Sequence, residues 1–432
     1  MKELISNILN IPNIGVILGL FGLLAAFLFW ILPRPSISRI VSYISNKRRE
    51  TKELDIERLD QERIKRNHKM NTVSYKAKKL AILEKIYNKL DFLTLWGKKY
   101  PVTIIRAQPE LVSNFSNLCE LKNVTIQNIK PDRYQQKYLD SHKKVIFNPN
   151  MTGFSMRNIE LDENGHLSKI YARACHYSQN AMTAHILEWE LYDYIRFKVE
   201  KPASDLKYRT QYHGNLPPND AIYETKTAFP LLSVQAIVVY KDYSDPTNID
   251  WKIVFALRPE NVAIAPGLWQ FQPAGGFEVY GNENESKNIF TRKGFNLKAA
   301  LLREYAEELF NQNDLRSIND SKDSKSLFNN YHIKKLNRLL SEKKAYIDFL
   351  GLVVDLGILR HEISFLILID DQEFSETDIL GSFESDSMHS MTPEQVKYTV
   401  KTDGIHCSSA GLLSLACENT RLVDCGLSAR LT

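Results

Sequence analysis

The sequence has few cysteines and lacks the short motifs of several common enzyme classes. Only five cysteines occur among 432 residues, and no two are spaced as C-x-x-C. This usage excludes a disulfide-stapled secreted scaffold and a structural zinc site of the usual spacing, and it suits a reducing cytosol. The sequence also contains no P-loop, no G-x-S-x-G turn and no H-E-x-x-H helix. The enzyme classes that depend on those motifs are therefore not expected.

Acidic residues are scarce near the start of the chain. Residues 34–100 contain 18 Lys and Arg but only 8 Asp and Glu, whereas the whole chain has a net charge of +5. The rest of the chain is therefore slightly acidic. A basic segment can contact nucleic acid, but nothing in this sequence pairs a basic face with aromatic side chains as a nucleic-acid platform does. We expect no nucleic-acid partner.

A long apolar run precedes the basic segment. Ile14–Leu32 holds 19 consecutive residues without a charged or polar side chain. As a helix it would span about 28 Å, close to the thickness of a bilayer core. Basic residues follow the run, which favours an inner-membrane anchor with the C-terminal domains in the cytoplasm. The alternative is a cleaved signal peptide, whose apolar core is usually shorter.

Two glycines within the apolar run bear on assembly. Gly15 and Gly19 form G-x-x-x-G, a spacing that lets two membrane helices approach closely. This spacing would allow a homo-oligomer. The alternative is that both glycines are simply tolerated.

Composition and pattern divide the chain into successive segments. They are a short extracytoplasmic N-terminus (1–13), a transmembrane helix (14–32), a basic helical stalk (33–99), a small α+β domain of unknown role (100–215) and a C-terminal α/β domain (225–432) with insertions at 279–295 and 311–344. Within the small domain, Asn164-Gly165 between alternating runs predicts a β-hairpin.

Apolar periodicity predicts the main elements of the C-terminal segment. The predicted strands are Leu232–Tyr240, Trp251–Leu257, Tyr346–Asp355 and Glu362–Asp370, and the predicted helices are Asn296–Phe310 and Ser408–Cys417. A glycine pair, Gly275-Gly276, lies in the turn region between the second strand and the first helix.

The first of these helices carries the clearest chemical signal. Its residues Arg303-Glu304-Tyr305-Ala306-Glu307-Glu308 place three carboxylates at i, i+3 and i+4, on or beside one helix face. Mg²⁺ is typically bound by a few carboxylates, several waters and a phosphate-bearing substrate. The glycine pair before the helix would let the backbone approach such a substrate closely. The alternative is a solvated acidic face.

The order of two strands, a Trp-x-x-x-Pro-x-Gly-Gly turn and a helix with R-E-Φ-x-E-E resembles the Nudix superfamily. The signature of that family is G-x5-E-x7-R-E-U-x-E-E-x-G-U, where U is aliphatic, and the resemblance covers about residues 225–425. It implies an α/β/α sandwich around a mixed sheet, with Mg²⁺ or Mn²⁺ as cofactor. The implied reaction is hydrolysis of a pyrophosphate bond in a nucleoside diphosphate linked to another group, so the expected partner is a nucleotide-type small molecule.

The resemblance also implies roles for individual residues. Three glutamates would bind the metal ions, one of them also acting as base towards the attacking water: Glu304, Glu307 and Glu308. Arg303 would orient these carboxylates. Gly275 and Gly276 would lie against the substrate, with Gly276 as the first glycine of the signature. Glu384 lies in a late polar loop where some family members place a catalytic carboxylate, and the alternative is a surface acid.

The sequence departs from the family pattern at three places. An insertion of about a dozen residues precedes the motif arginine, Phe295 stands where the first motif glutamate is expected, and Phe310 replaces the glycine after the paired glutamates. Without that glycine, we expect the helix to run on to Asn311 or Asn313.

Two further polar groups are predicted to have no part in the chemistry. Arg360-His361-Glu362 could touch a phosphate, but a turn with solvent-facing charge is the preferred interpretation. His406 and Cys407 have no companion that would make them a nucleophilic pair, so both are interpreted as structural.

Two functions remain open at this point. The first is a membrane-anchored, Mg²⁺-dependent Nudix-type hydrolase. The second is a degenerate Nudix domain that binds a cyclic nucleotide signal as the effector of an anti-phage defence system. The predicted domain order resembles that of membrane-anchored Nudix effectors of cyclic-oligonucleotide systems, which is an argument from analogy.

Overall fold

The computed structural model describes residues 53–432, apart from 147, 198–204, 260–261, 263–265, 280–290, 293, 313–323, 375–378, 380 and 382–386. The chain divides into two compact units, residues 1–61 and residues 62–432. In the first unit, the described residues 53–61 are helical. The second unit begins with helical residues 62–70 and contains the sheets that the structure describes.

The predicted single-pass membrane localisation requires correction. A spanning helix needs about 20 predominantly apolar residues, and across the described residues of 53–432 no helix is both long enough and apolar enough to cross a bilayer. The predicted segments 1–13 and 14–32, with Gly15 and Gly19, lie outside the described residues.

The strands of the second unit are numbered along the chain. They are β1 (Thr94–Leu95), β2 (Lys98–Lys99), β3 (Val102–Arg106), β4 (Cys119–Asn123), β5 (Thr152–Leu161), β6 (Leu167–His176), β7 (Leu232–Asp242), β8 (Asp250–Leu257), β9 (Trp269–Phe271), β10 (Ala274–Gly276), β11 (Ala345–Asp355), β12 (Arg360–Ile369) and β13 (Ser387–Met391). The four strands predicted in the C-terminal segment correspond to β7, β8, β11 and β12, and their ends agree within two residues.

The helices that follow residue 70 are numbered in the same way. They are α1 (Val73–Ile86), α2 (Arg133–Ser141), α3 (Tyr177–Asn180), α4 (Ile186–Phe197), α5 (Lys207–His213), α6 (Leu297–Phe310), α7 (Ser324–Asn329), α8 (Tyr331–Ser341), α9 (Pro393–Thr402), α10 (Cys407–Cys417), α11 (Thr420–Asp424) and α12 (Leu427–Leu431). A π-helical turn, Ala181–His185, joins α3 to α4. The two predicted C-terminal helices are confirmed as α6 and α10.

The main sheet is mixed. Its strand order is β13-β8-β7-β12-β11-β3, with β9 paired to β8 and β10 paired to β7. β7 and β12 run parallel, whereas the other described pairs of this sheet are antiparallel. β7 has two neighbours on one side, because Ser233–Gln235 pair with β10 and residues 239–242 pair with β8. The mixed α/β class predicted from the sequence is confirmed.

Helices cover both faces of the main sheet. Side chains alternate between the faces of a strand, and along β7 the residues Val234, Ala236 and Val238 share one core cluster with α6. Ile237 and Val239 belong to a second cluster, which includes α10. α6 lies against β7 and β10, and α10 lies against β3, β7, β11 and β12. The sheet is therefore enclosed between α6 and α10.

A second, three-stranded sheet has the order β4-β6-β5. β5 and β6 form an antiparallel hairpin that closes at the pair Leu161 and Leu167. Gly165 in its turn has φ of 79°, a conformation that glycine adopts without strain. The hairpin predicted from Asn164-Gly165 is confirmed.

Backbone hydrogen bonds cross the predicted boundary between residues 215 and 225. β3 pairs with β11, with Ile105 opposite Leu352, and the amide of Phe154 in β5 donates to Phe277 O at 3.0 Å. A bare edge of β11 would leave unpaired amide and carbonyl groups, so the earlier segment supplies the strand that covers it. In the structure both predicted segments belong to one compact unit.

Candidate active site

Two asparagines bound the helix that carries the motif. Asn296 Oδ1 accepts a hydrogen bond from the Ala299 amide at 3.0 Å and so caps the first turn of α6. Asn311, directly after the helix, is left-handed with φ of 52°. Asparagine tolerates this conformation and can end a helix as glycine does. The expected extension to Asn311 or Asn313 is therefore wrong, because α6 ends at Phe310.

Arg303 and the three motif glutamates are buried. Arg303 is 4% exposed, and Glu304, Glu307 and Glu308 are 1–2% exposed. Arg303 Nη2 lies 2.6 Å from Glu304 Oε1, and its Nη1 lies 3.3 Å from Glu307 Oε2. The alternative of a solvated acidic face is therefore excluded. Buried charge is tolerated only where it is paired and hydrogen-bonded, and Arg303 meets this requirement for two of the glutamates.

The motif side chains are docked on the glycine strand β10. Arg303 Nη2 donates to Gly276 O at 2.9 Å. The amide of Ala274 donates to Glu308 Oε2 at 2.8 Å. Since β10 is itself paired with Ser233–Gln235 of β7, these two hydrogen bonds fix the carboxylate-bearing turns of α6 to the main sheet.

Gly275 makes room for Glu304. A Cβ added at Gly275 would lie 2.1 Å from Cδ of Glu304, far inside any allowed contact, so only glycine fits between this carboxylate and the strand. A Cβ at Gly276 would come within 2.8 Å of Glu278 Oε1, the far end of a flexible side chain. The sequence predicts that this glycine pair lets the backbone approach a substrate. In the structure, the group that lies against Gly275 is the Glu304 carboxylate.

The donor type of the three glutamates suits a hard divalent cation. The three glutamates offer carboxylate oxygens, which are the donors that Mg²⁺ and Mn²⁺ prefer. They lie on adjacent turns of one helix, and the glycine cradle keeps Glu304 against the strand with no side chain between them. The residues that could hold such an ion are Glu304, Glu307 and Glu308.

Phe295, which replaces the first motif glutamate, has a packing role. Its ring centroid lies 4.7 Å from that of Phe154 in β5 and 5.1 Å from that of Phe277 after β10. Phe154 and Phe277 also contact each other, with ring centroids 4.9 Å apart. Aromatic contacts of this kind stabilise a core beyond the area they bury. This position therefore joins the β5–β6 hairpin to the beginning of α6 instead of adding a carboxylate.

The predicted solvent-facing turn at Arg360-His361-Glu362 is wrong. These residues begin β12, where His361 is fully buried and Glu362 is 5% exposed. Arg360 Nε donates to Ser233 Oγ at 2.8 Å and lies 3.0 Å from Glu362 Oε1. Burial raises the pKa of the Glu362 carboxyl, and Arg360 opposes that shift. The strand begins earlier than its apolar residues suggest, because β7 pairs with β12 from residue 361 onward.

Register places this polar group in line with the glycine strand. Ser233 pairs with Gly276 of β10 on one side and with Glu362 of β12 on the other. The sequence did not predict this alignment of Gly276, Ser233 and Glu362, because the three residues belong to three separate strands. The remaining predicted substrate residue, Glu384, lies outside the described residues. Nearby, the amide of Gly381 donates to Leu309 O of α6 at 3.1 Å.

No protein-family model matches the sequence, and no curated protein matches it. Solved structures of Nudix proteins match it in part. The Nudix hydrolase of Alicyclobacillus acidocaldarius is 16% identical, with 45% of this chain and 95% of that chain covered and a TM-score of 0.23. The Nudix domain of Shewanella oneidensis NrtR, complexed with ADP ribose, is 14% identical, with 44% and 87% covered and a TM-score of 0.25.

The Ap4A hydrolase of C. elegans is 12% identical, with 43% of this chain and 94% of that chain covered and a TM-score of 0.22. Identities and TM-scores this low do not assign the chain to the family.

Proposed function

We propose that the protein is a Nudix-type hydrolase that cleaves the pyrophosphate bond of a nucleoside diphosphate linked to another group. The proposal is carried by the burial of three glutamates on α6, a helix that is docked on the glycine strand β10 through Glu308 and Arg303. Burying several carboxylates on one helix face is unfavourable unless they are compensated. Arg303 compensates part of this charge, and a divalent cation would compensate the rest.

Each residue of the site has a distinct part in this proposal. Glu304, Glu307 and Glu308 would hold Mg²⁺ or Mn²⁺, which when bound neutralises the diphosphate and lowers the pKa of bound water. Arg303 is a positioning residue, because it contacts two of these carboxylates and the Gly276 carbonyl at once. Gly275 keeps the space that Glu304 occupies.

The reaction adds one water across a P–O–P bridge. The water oxygen forms a bond to one phosphorus, and the bond between that phosphorus and the bridging oxygen breaks. The bridging oxygen leaves with the other phosphate. One of the three glutamates accepts a proton from the attacking water. General-base catalysis requires that this carboxylate lie within hydrogen-bond distance of the water.

A hydrolysis screen of the full-length chain tests the proposal. The panel would include ADP-ribose and Ap4A, which two of the matched structures name, with Mg²⁺, Mn²⁺ or a chelator. We expect cleavage only with metal. Replacing both Glu307→Gln and Glu308→Gln should slow it by at least about 100-fold, equivalent to about 2.7 kcal/mol in the barrier. The exposed Glu342 offers a control, Glu342→Gln, that should retain the rate, and full turnover by the double variant would exclude this mechanism.

The packing of Phe295 favours a second candidate function. This residue takes the place of an acid in the family signature and contributes to an aromatic core. With one carboxylate fewer, the site could bind a nucleotide without cleaving it. The alternative proposal is therefore a degenerate Nudix domain that binds a cyclic nucleotide signal as part of an anti-phage defence system.

Calorimetry separates the two candidates. The full-length chain would be titrated with cyclic oligonucleotides in the presence of a chelator, and the recovered ligand would be analysed for cleavage. Tight binding of an intact cyclic oligonucleotide favours the sensor. Absence of binding to every cyclic species, together with metal-dependent cleavage of a linear diphosphate, favours the hydrolase.

A further inference from the structure

A second cluster of metal-ligating side chains lies at the beginning of α10, across the main sheet from α6. Asp355 ends β11, His406 immediately precedes α10 and Cys407 is the first residue of that helix. One ligand atom from each of these residues lies within 4.8 Å of the other two. Because α10 and α6 pack on opposite faces of the sheet, this cluster is separate from the motif glutamates.

Hydrogen bonds hold the three side chains in place. The Cys407 thiol donates to Asp355 Oδ2 at 3.1 Å, and the Gly357 amide donates to Asp355 Oδ1 at 2.7 Å. The amide of Ser408 donates to His406 Nδ1 at 3.3 Å. Each ligand is thus oriented by a neighbour, as the partners of metal-binding residues usually orient them.

We propose that Asp355, His406 and Cys407 form a zinc-binding site with three protein ligands. Carboxylate, imidazole and thiolate are all ordinary ligands of Zn²⁺, and an ion with three protein ligands keeps a fourth position for water. Zinc bonds of about 2.0–2.3 Å place two ligands of one tetrahedral ion about 3.3–3.8 Å apart. Cys407 Sγ and Asp355 Oδ2 lie 3.1 Å apart, and all three ligand atoms lie within 4.8 Å of one another, so side-chain rotations that move these atoms by about 1 Å would bring them to a common ion.

Burial and donor type distinguish this site from a magnesium site. Asp355 and His406 are 5% and 7% exposed, whereas Cys407 is less deeply buried. A sulfur and a nitrogen donor suit zinc and do not suit Mg²⁺. On binding, the sulfur forms a bond to zinc, and the thiol proton is released to solvent.

Lys79 lies beside the cluster, and its charge has a partner elsewhere. Its Nζ and Asp355 Oδ1 both lie within 3.0 Å of the place that a Cβ at Gly357 would take. Lys79 also forms an ion pair with Glu188. The Glu188 carboxylate is therefore the direct ion-pair partner of this ammonium, which also interacts electrostatically with Asp355.

Metal binding by the full-length chain tests the site. The protein would be stripped with a chelator and titrated with Co²⁺, whose thiolate complexes absorb strongly, and then with Zn²⁺. We expect one tightly held zinc per chain and a thiolate-to-cobalt absorption band. Cys407→Ser should abolish the band and weaken zinc binding by at least about 10-fold. Cys425→Ser, which changes another half-buried cysteine, should retain both.

Further measurements keep the test decisive. The variant with Glu307→Gln and Glu308→Gln should keep the cobalt band, because those residues lie on the other face of the sheet. If Cys407→Ser does not fold, alkylation of the wild-type protein replaces it, and zinc should slow the labelling of Cys407 by at least about 10-fold. A cobalt spectrum unchanged by Cys407→Ser, failure of the wild type to retain zinc, or equal labelling with and without zinc would overturn the proposal.

Discussion

The position of the Glu304 carboxylate depends on the absence of a Cβ atom at Gly275. Gly275→Ala would put a Cβ 2.1 Å from Glu304 Cδ, so either the strand or the carboxylate must move. We expect a loss of about 1–3 kcal/mol in the free energy of unfolding, as for other overpacked sites, and weaker Mg²⁺ binding. Urea denaturation and metal titration measure these effects. Gly276→Ala should lose less, since its Cβ would lie 2.8 Å from a carboxylate oxygen of Glu278, a side chain that is only partly buried and can move. Equal losses in the two variants would contradict this account.

Arg303 differs from the surface arginines because its removal would leave buried carboxylates without their cationic partner. Arg303→Met takes the guanidinium away from Glu304 and Glu307, both of which are buried. Breaking a buried pair in this way destabilises a protein by about 3–5 kcal/mol. Arg338→Met is the matched control. Its contact with Glu373 at 2.9 Å is solvent-exposed, so its loss should be below about 1 kcal/mol. Equal urea midpoints for the two variants would refute the buried role of Arg303.

The candidate residues on α6 could be predicted because they are close in sequence. Helical spacing alone places Glu304, Glu307 and Glu308 on neighbouring turns. The contact between Asp355 and Cys407 joins residues 52 positions apart. A local pattern cannot show such a contact, which exists only once β11 and α10 are packed together.

Among the elements, α2 carries a pH dependence through its N-terminal cap. Burial alone would raise the pKa of the Asp132 carboxyl, but hydrogen bonds from the Gln135 amide, Lys207 and Tyr208 outweigh it and lower the pKa from 3.8 to about 2. A carboxyl group with a depressed pKa stabilises the folded chain above its unfolded pKa, and this stabilisation disappears as the pH falls towards 2.

Asp132→Asn tests this dependence, because asparagine can still accept the capping hydrogen bonds. The variant should be less stable than the wild type at neutral pH, and the difference should shrink as the pH falls from about 4 towards 2. Urea midpoints at several pH values measure it. A difference that stays constant down to the lowest pH would show that the Asp132 charge does not contribute.

Long, strongly patterned elements were predictable, and short ones were not. The four strands and two helices that were predicted in the C-terminal segment agree within two residues with the structure, because their apolar residues recur with a clear period. β9 and β10 have three residues each, too few to show a period. Asn311 was misjudged for a related reason, since its left-handed conformation is set by one residue and not by a pattern.

For the whole molecule, the segment before residue 216 is part of the fold that holds the candidate site. β3 covers the edge of β11, and Val102 belongs to the core cluster around α10. A fragment of residues 225–432 should therefore be much less stable than residues 62–432, or should aggregate through the exposed edge. Size-exclusion chromatography and urea denaturation distinguish the outcomes. Equal stability of the two fragments would show that the C-terminal segment folds independently.

The hydrogen bond from Arg303 Nη2 to Gly276 O, 2.9 Å long, joins residues that are 27 positions apart in the sequence. Lengthening the connection between two elements costs little free energy, about 0.6 kcal/mol for each doubling of its length. The number of residues between β10 and α6 can therefore grow while the hydrogen bond between Arg303 and Gly276 stays the same. Relatives of this protein should therefore vary widely in that interval. Sequence searches that require one fixed spacing between the two motifs would miss such relatives. Searches that score the glycine strand and the acidic helix as two separate motifs should find them.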